Sequence, residues 1–82
     1  MSRALVVIGC GLVGCDIAAV FLSRGWSVRA VDPKAKNWER ACDRVALSVR
    51  QLDTSVNIAK FSLATTVEEL EWNGVELVIE AV

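Results

Sequence analysis

The stretch Ala4–Asp32 decides the fold, and it reads ALVVIGCGLVGCDIAAVFLSRGWSVRAVD. Its first five residues are an apolar run whose length and β-branched content predict a fully buried strand. A helix is predicted over residues 12–24, because apolar side chains recur there and Gly25, which can close a helix in the left-handed conformation, follows directly. Residues 27–32 predict a second strand, since the proline after them cannot donate to a sheet. The stretch is therefore a strand–helix–strand unit.

A glycine pattern of the form G-x-G-x-x-G joins the first strand to the helix. Gly9 permits the tight turn out of the strand, Gly11 leaves the backbone open to a pyrophosphate, and Gly14 lets the helix pack closely on the sheet. Free N–H groups at the start of the helix then face the negative phosphates. The pattern predicts a dinucleotide-binding turn formed by Gly9, Cys10, Gly11, Leu12, Val13 and Gly14.

Asp32 ends the second strand, about 20 residues after the glycines. An acidic residue there is expected to accept hydrogen bonds from the adenosine ribose, and its charge repels a 2′-phosphate. The sequence therefore predicts NAD as the cofactor. NADP stays open as an alternative, because Lys34 and Lys36 can offset the repulsion. Without the glycines, Asp32 before Pro33 would be interpreted as a turn residue.

The rest of the chain continues the alternation of strands and helices. The predicted elements are a helix over 34–52, a strand over 60–64, a short helix over 67–71 that Thr66 and Glu69 open as a capping box, and a strand over 75–82. This order predicts an α/β protein with a Rossmann-type, three-layer parallel sheet of strand order 3-2-1-4. The last strand is apolar yet would lie at the edge of that sheet, so we interpret residues 1–82 as the N-terminal part of a larger domain.

Composition excludes several other classes of protein. The formal net charge is −1 and there is no basic stripe, which argues against nucleic acid and anionic membranes as partners. The glycines and Asp16 argue against a signal peptide or membrane span near the N-terminus. Three cysteines without a paired motif, in a chain without histidine, argue against a zinc site. Reduced thiols in a cytoplasmic protein are the simpler interpretation.

The chain offers no catalytic set of residues. It contains no histidine, and no serine is paired with a base. Asp16, early in the first helix, is interpreted as a favourable contact with the helix dipole. Cys10 is expected to meet the cofactor through its backbone N–H alone. The three tryptophans are interpreted as packing residues.

Several segments resemble the N-terminal NAD-binding domain of the 3-hydroxyacyl-CoA dehydrogenase family. They are VVIGCGLVGCDIA at 6–18, VD at 31–32, LAT at 63–65 and LVIEAV at 77–82. The resemblance implies that the glycine turn wraps the pyrophosphate and that Asp32 holds the adenosine ribose. It also implies that Ala81, with Val82, lies near the ribose and nicotinamide side and contributes backbone only.

For function, the resemblance implies hydride transfer between a 3-hydroxyacyl substrate and NAD in the intact protein, as in fatty acid metabolism. The family's catalytic His–Glu pair lies beyond Val82, so the chain alone is expected to be inactive. An acyl-CoA-type substrate, which Ser48 could approach, and a missing C-terminal domain or homo-oligomer are the implied partners. The alternatives are a stand-alone NAD-binding module and a related dehydrogenase acting on carnitine or gulonate.

Overall fold

The structure, a computed structural model, describes residues 3–52 and 58–81. Its regular elements are β1 (Ala4–Ile8), α1 (Leu12–Ser23), β2 (Ser27–Val31), α2 (Trp38–Leu52), β3 (Phe61–Ala64) and β4 (Val75–Glu80). Single 3-10 turns cover Ala35–Asn37, Ile58–Lys60 and Val67–Glu69. The predicted strands and long helices are all present, with small changes at their ends. The predicted end of the last strand, Val82, lies outside the described residues.

The four strands form one parallel sheet in the order β3-β2-β1-β4. This confirms the predicted α/β fold and its strand order. Ile8 at the end of β1 pairs with Val31 of β2 and Glu80 of β4. The carboxyl ends of the central strands therefore meet at one edge, which is where ligands bind in open parallel sheets.

Both long helices cover the same face of the sheet. Inward-facing residues of β1 and β2 and residues of both helices form one hydrophobic core, which includes Leu5, Val7, Val28, Ala30, Ala18, Ala19, Val45 and Val49. The buried residues of α1 are small over most of the helix, with Leu22 the one large exception among them, and its exposed residues include Leu12, Val13 and Val20. Small side chains let the helix lie close to the strands. The start of α1 is thereby brought to the edge of the sheet.

The connection between β3 and β4 crosses the opposite face. Arg29 of β2, whose neighbours in sequence face the helices, donates hydrogen bonds to the carbonyl oxygens of Glu71 and Asn73. This face is less completely covered than the helical face. On β4, Leu77 and Val78 are 42% and 47% exposed, although they lie on opposite faces of the strand. The apolar edge expected from the sequence is therefore present.

The second helix begins at Trp38, so the prediction that it starts at residue 34 is wrong. Asp32 Oδ1 accepts a hydrogen bond from the backbone N–H of Lys34 at 2.9 Å, which forms an Asx turn around Pro33. A 3-10 turn follows, with the Asn37 N–H donating to the Lys34 carbonyl oxygen at 2.9 Å. Local hydrogen bonding of the aspartate thus displaces the start of the helix.

The first helix ends at Ser23 and is closed by the glycine that the sequence predicts. Gly25 has φ +86°, and its N–H donates to the carbonyl oxygen of Leu22 at 3.0 Å. The Trp26 N–H donates to the carbonyl oxygen of Phe21 at 3.1 Å, and the two rings pack edge to face with centroids 5.0 Å apart. This is a Schellman motif with its accompanying apolar contact.

The predicted capping box lies at the start of the Val67–Glu69 turn. The Glu69 carboxylate accepts hydrogen bonds from the Thr66 N–H at 3.1 Å, the Thr65 N–H at 3.0 Å and the Thr65 hydroxyl. These bonds hold the pKa of Glu69 below its usual range, and the bond from the Thr65 hydroxyl has the largest effect. The helix itself is a single 3-10 turn, so its predicted extension to residue 71 is wrong.

Candidate functional site

The chain leaves β1 through a turn that only glycine adopts without strain. Gly9 has φ +103°, and its N–H donates to the carbonyl oxygen of Val31 at 3.0 Å. This hydrogen bond continues the β1–β2 pairing for one residue beyond the strand. The turn is therefore anchored to the neighbouring strand, close to Asp32.

Gly14 lies where α1 passes over the turn. A Cβ atom at this position would be 2.0 Å from the carbonyl oxygen of Gly9 and 3.5 Å from Cγ1 of Val7. No side chain fits there unless the helix moves away from the sheet. The close packing of helix on sheet that the sequence predicts for Gly14 is present in the structure.

Gly11, by contrast, has no internal reason to be glycine. Its φ is −75° and ψ is −167°, an extended conformation open to any residue. A Cβ atom at Gly11 would meet nothing within 4 Å. Gly11 is the residue before α1, so the open space beside it lies at the positive end of the helix dipole. A ligand that touches the backbone would account for glycine at this position.

Asp32 is fixed by contacts on both sides of the residue. The Asp32 N–H donates to the carbonyl oxygen of Ala64 at 3.0 Å, and Trp38 Nε1 donates to the carbonyl oxygen of Asp32 at 3.1 Å. The residue is only 8% exposed. Within the described part of the chain, the carboxylate accepts one hydrogen bond, from Lys34 to Oδ1. Asp32 is thus the turn residue that the alternative interpretation expected, and it also retains acceptor capacity.

Gly9, Gly11 and Asp32 border a cleft of about 510 Å³ at the carboxyl edge of the sheet. The cleft is lined by Ile8, Gly9, Cys10, Gly11, Val31, Asp32, Pro33, Lys34, Asn37 and Ala81. Ala81 is held beside β1, because its N–H donates to the Ile8 carbonyl oxygen at 2.8 Å. The volume falls within the range of small-molecule and cofactor sites.

Five of the eight predicted site residues line this cleft, and three do not. The five are Gly9, Cys10, Gly11, Asp32 and Ala81. The side chains of Leu12 and Val13 are exposed and do not line this cleft, and Gly14 is buried beneath the turn. In this cleft, Leu12 and Val13 can therefore contact a ligand only through backbone groups at the start of the helix. Lys34 and Asn37 line the cleft without having been predicted as site residues.

The cysteines give the site no reactive thiolate. Burial raises the pKa of Cys10 to about 12, and the neighbouring thiol of Cys15 and the carboxylate of Asp32 add to the rise. Burial also raises the pKa of Cys15 and of Cys42. All three cysteines are free. Among the described residues, no group of histidine, cysteine or acidic side chains has the arrangement of a metal site.

Asp16 contacts the second helix, which the sequence did not predict. Its Oδ1 lies 3.3 Å from Nη2 of Arg44 and accepts a hydrogen bond from the Ser48 hydroxyl at 3.2 Å. Asp16 thus links α1 to α2, in addition to any favourable interaction with the helix dipole. The contact also engages Ser48, which the sequence favoured as a helix-surface residue and which the family resemblance placed where an acyl-CoA could be met. Pairing across two helices depends on their crossing, which no local pattern reveals.

A parallel sheet, an open glycine turn before the first helix and an acidic residue after the second strand define a dinucleotide-binding domain of the Rossmann type. The sequence matches the profile of a family described as 3-hydroxyacyl-CoA dehydrogenase, NAD binding domain, over residues 4–82. The chain belongs to this family, and the predicted cofactor, NAD, is confirmed. A search of curated proteins gave no match.

The two long helices also bear on membrane association. In the ranges 3–52 and 58–81, no helix combines the length and apolar character needed to cross a bilayer.

Proposed function

We propose that this chain is the NAD-binding part of an oxidoreductase that moves a hydride between the 3-position of a 3-hydroxyacyl substrate and NAD. Family membership supports the cofactor and the class of reaction. We propose the acyl-CoA type of the substrate from the activity that the family description names. A place in fatty acid metabolism is part of the same proposal. The cleft at the carboxyl edge of the sheet is the observation that carries the proposal.

In this proposal, each predicted residue has a defined task in the cleft. The backbone of Gly9–Gly14 holds the pyrophosphate, because Gly11 leaves open space in front of the first turn of α1. Asp32 accepts hydrogen bonds from the adenosine ribose through its free acceptor capacity. Ala81, held beside Ile8, borders the nicotinamide side of the cleft with its backbone.

The bound nicotinamide supplies the hydride chemistry, and the residues of this chain bind and orient it. The chain contains no histidine, and the buried thiol of Cys10 stays protonated at neutral pH. Neither Cys10 nor Asp32 is therefore proposed to abstract a proton from a substrate hydroxyl, since Asp32 is committed to the turn and the ribose. We propose that the catalytic acid–base residues lie in another domain or chain.

The exposed apolar edge of the sheet supports such a further domain or a second copy. Leu77 and Val78 of β4 are exposed on both faces of an edge strand, where apolar residues favour association. The three free thiols support a reducing cytoplasmic location, since Cys42 is exposed.

Calorimetric titration of the purified chain with NAD tests the site assignment. Gly11→Ala should weaken NAD binding about tenfold or more, because the added methyl group enters the space proposed for the pyrophosphate. Val20→Ala, a substitution at an exposed position of α1, is the matched control and should bind as the unaltered chain does. Equal affinity of the Gly11 variant and the unaltered chain would refute the assignment.

Incubation of the chain with NAD and 3-hydroxybutyryl-CoA tests the division between binding and catalysis. The expected result is NAD binding without formation of NADH. Formation of NADH by the chain alone would contradict the proposal that the acid–base residues lie elsewhere.

A further inference from the structure

A second cleft, of about 320 Å³, lies on the other side of the glycine turn, between α1 and α2. Its lining consists of Cys10, Gly11, Leu12, Cys15, Arg40, Ala41 and Arg44. Cys10 and Gly11 belong to both clefts, so the turn is their common wall. A group bound at Gly11 in the first cleft is therefore next to the second one.

Two arginines give this second cleft a positive wall. Arg40 and Arg44 are one turn apart on α2, so they lie on the same face of the helix. Arg44 is held by Asp16, and its buried Nε has no hydrogen-bond partner within the described residues. Arg40 is exposed and has no carboxylate partner in the part of the chain that the structure describes. Among the described residues, the wall thus offers a donor without a partner, Nε of Arg44, and a cation without a carboxylate partner, Arg40.

The charges of both arginines affect the pKa of a residue in the first turn of α1. Burial raises the pKa of the Cys15 thiol and Asp16 adds to the rise, whereas Arg44 and Arg40 oppose it. Cys15 lies in the same turn of helix whose N–H groups point toward the space beside Gly11. Asp16 offsets the charge of Arg44, so the positive charge of Arg40 is the one that adds to the helix dipole beside Gly11, where a pyrophosphate would lie.

We propose that Arg40, beside an Arg44 that Asp16 holds in place, contributes directly to binding the pyrophosphate of the dinucleotide. The inference rests on the proposed function, since it places the pyrophosphate at Gly11. Guanidinium groups are suited to this role, because they present several donors in a fork that matches phosphate oxygens. The cofactor site then includes α2 as well as the glycine turn, and its binding energy has an ionic component from α2.

Titration of the full chain with NAD, ADP and adenosine tests the inference. Arg40→Gln keeps a polar side chain with the same carbon stem and removes the guanidinium and its charge. It should weaken NAD and ADP about five- to tenfold, the range for one charge-assisted contact at a partly exposed site, and leave adenosine unchanged. Arg40→Lys should retain most of the affinity. Arg50→Gln, on an exposed position of the same helix, is the matched control and should bind all three ligands as the unaltered chain does.

Salt dependence gives a second readout. Because screening weakens ionic contacts, NAD affinity of the unaltered chain should fall with salt more steeply than that of Arg40→Gln. Unchanged NAD and ADP affinities in Arg40→Gln would overturn the inference, as would an equal loss for adenosine. If the unaltered chain fails to bind NAD, the proposed function itself fails. If it binds NAD and Gly11→Ala does not, yet Arg40→Gln binds normally, only the role of Arg40 is refuted.

Discussion

The three glycines of the turn are required for three different physical reasons. Gly9 needs its positive φ, Gly14 has no room for a Cβ atom, and Gly11 has both ordinary backbone angles and open space. The first two are demands of the fold. Only at Gly11 does a Cβ atom have open space, so a substitution there can test ligand binding without disturbing the fold.

Substitution of Gly14 should therefore affect folding first. Gly14→Ala places a methyl group 2.0 Å from the Gly9 carbonyl oxygen, which requires α1 to move and should cost about 3 kcal/mol or more. Gly11→Ala should change the free energy of unfolding by less than about 1 kcal/mol, because its backbone is already extended. Urea unfolding of both variants measures this, and equal losses would contradict the distinction.

Asp32 combines a structural and a proposed binding role that one substitution can separate. Asp32→Asn retains an Oδ1 acceptor for the Lys34 N–H but removes the charge that opposes a 2′-phosphate. We expect the ratio of NAD to NADP affinity to fall about tenfold, with little change in stability. Asp32→Ala, which removes the turn acceptor as well, should lose about 1 kcal/mol of stability. An unchanged ratio in Asp32→Asn would show that Asp32 does not select the cofactor.

The buried thiol of Cys10 predicts a pH dependence of stability. Its pKa is raised from 9.0 to about 12, so the folded chain keeps a proton that the unfolded chain loses above pH 9. Because the folded state binds more protons there, the free energy of unfolding should fall as pH rises from 9 toward 12. Cys10→Ala should reduce this fall, whereas Cys42→Ala, at an exposed position, should largely preserve it. Identical pH profiles for the unaltered chain and Cys10→Ala would contradict the prediction.

At the scale of the elements, the predicted and observed structures are best compared at the ends of the helices. Gly25 and the capping box at Glu69 are local signals, and both lie where the pattern predicts. The start of α2 was mispredicted, because Asp32 binds the Lys34 N–H and delays the helix until Trp38. A pattern of apolar residues does not reveal such competition between a side chain and the helix.

The end of α1 provides a prediction for an element. Gly25→Ala forces alanine to φ +86° within the Schellman motif, which should cost about 1–2 kcal/mol. NAD affinity should stay unchanged, because Gly25 is at the opposite end of α1 from the proposed site. Thermal unfolding and NAD titration measure the two effects. A fully stable variant would show that the motif does not depend on glycine.

At the scale of the whole molecule, chain order and handedness were sufficient to predict the sheet. Alternating strands and helices with right-handed crossovers lead to the observed order β3-β2-β1-β4. The sequence also predicted that Gly11 and Asp32 contact the same dinucleotide, and the parallel strands bring both residues to one cleft. It did not reveal the Asp16–Arg44 pair or the cleft beside Arg40, which depend on how α1 packs against α2. Contacts between distant helices have no local signature.

The central claim is that NAD binds across the cleft between the glycine turn and Asp32. Two-dimensional amide NMR of the isotope-labelled chain, titrated with NAD, tests it most directly. We predict that the largest shifts fall on the amides of residues 9–14, Asp32, Lys34 and Ala81, which line or adjoin the cleft. The amides of residues 71–74, which lie near the amino end of β1 and contact Arg29, should stay in place. Absence of shifts, or shifts centred on residues 71–74, would contradict the account.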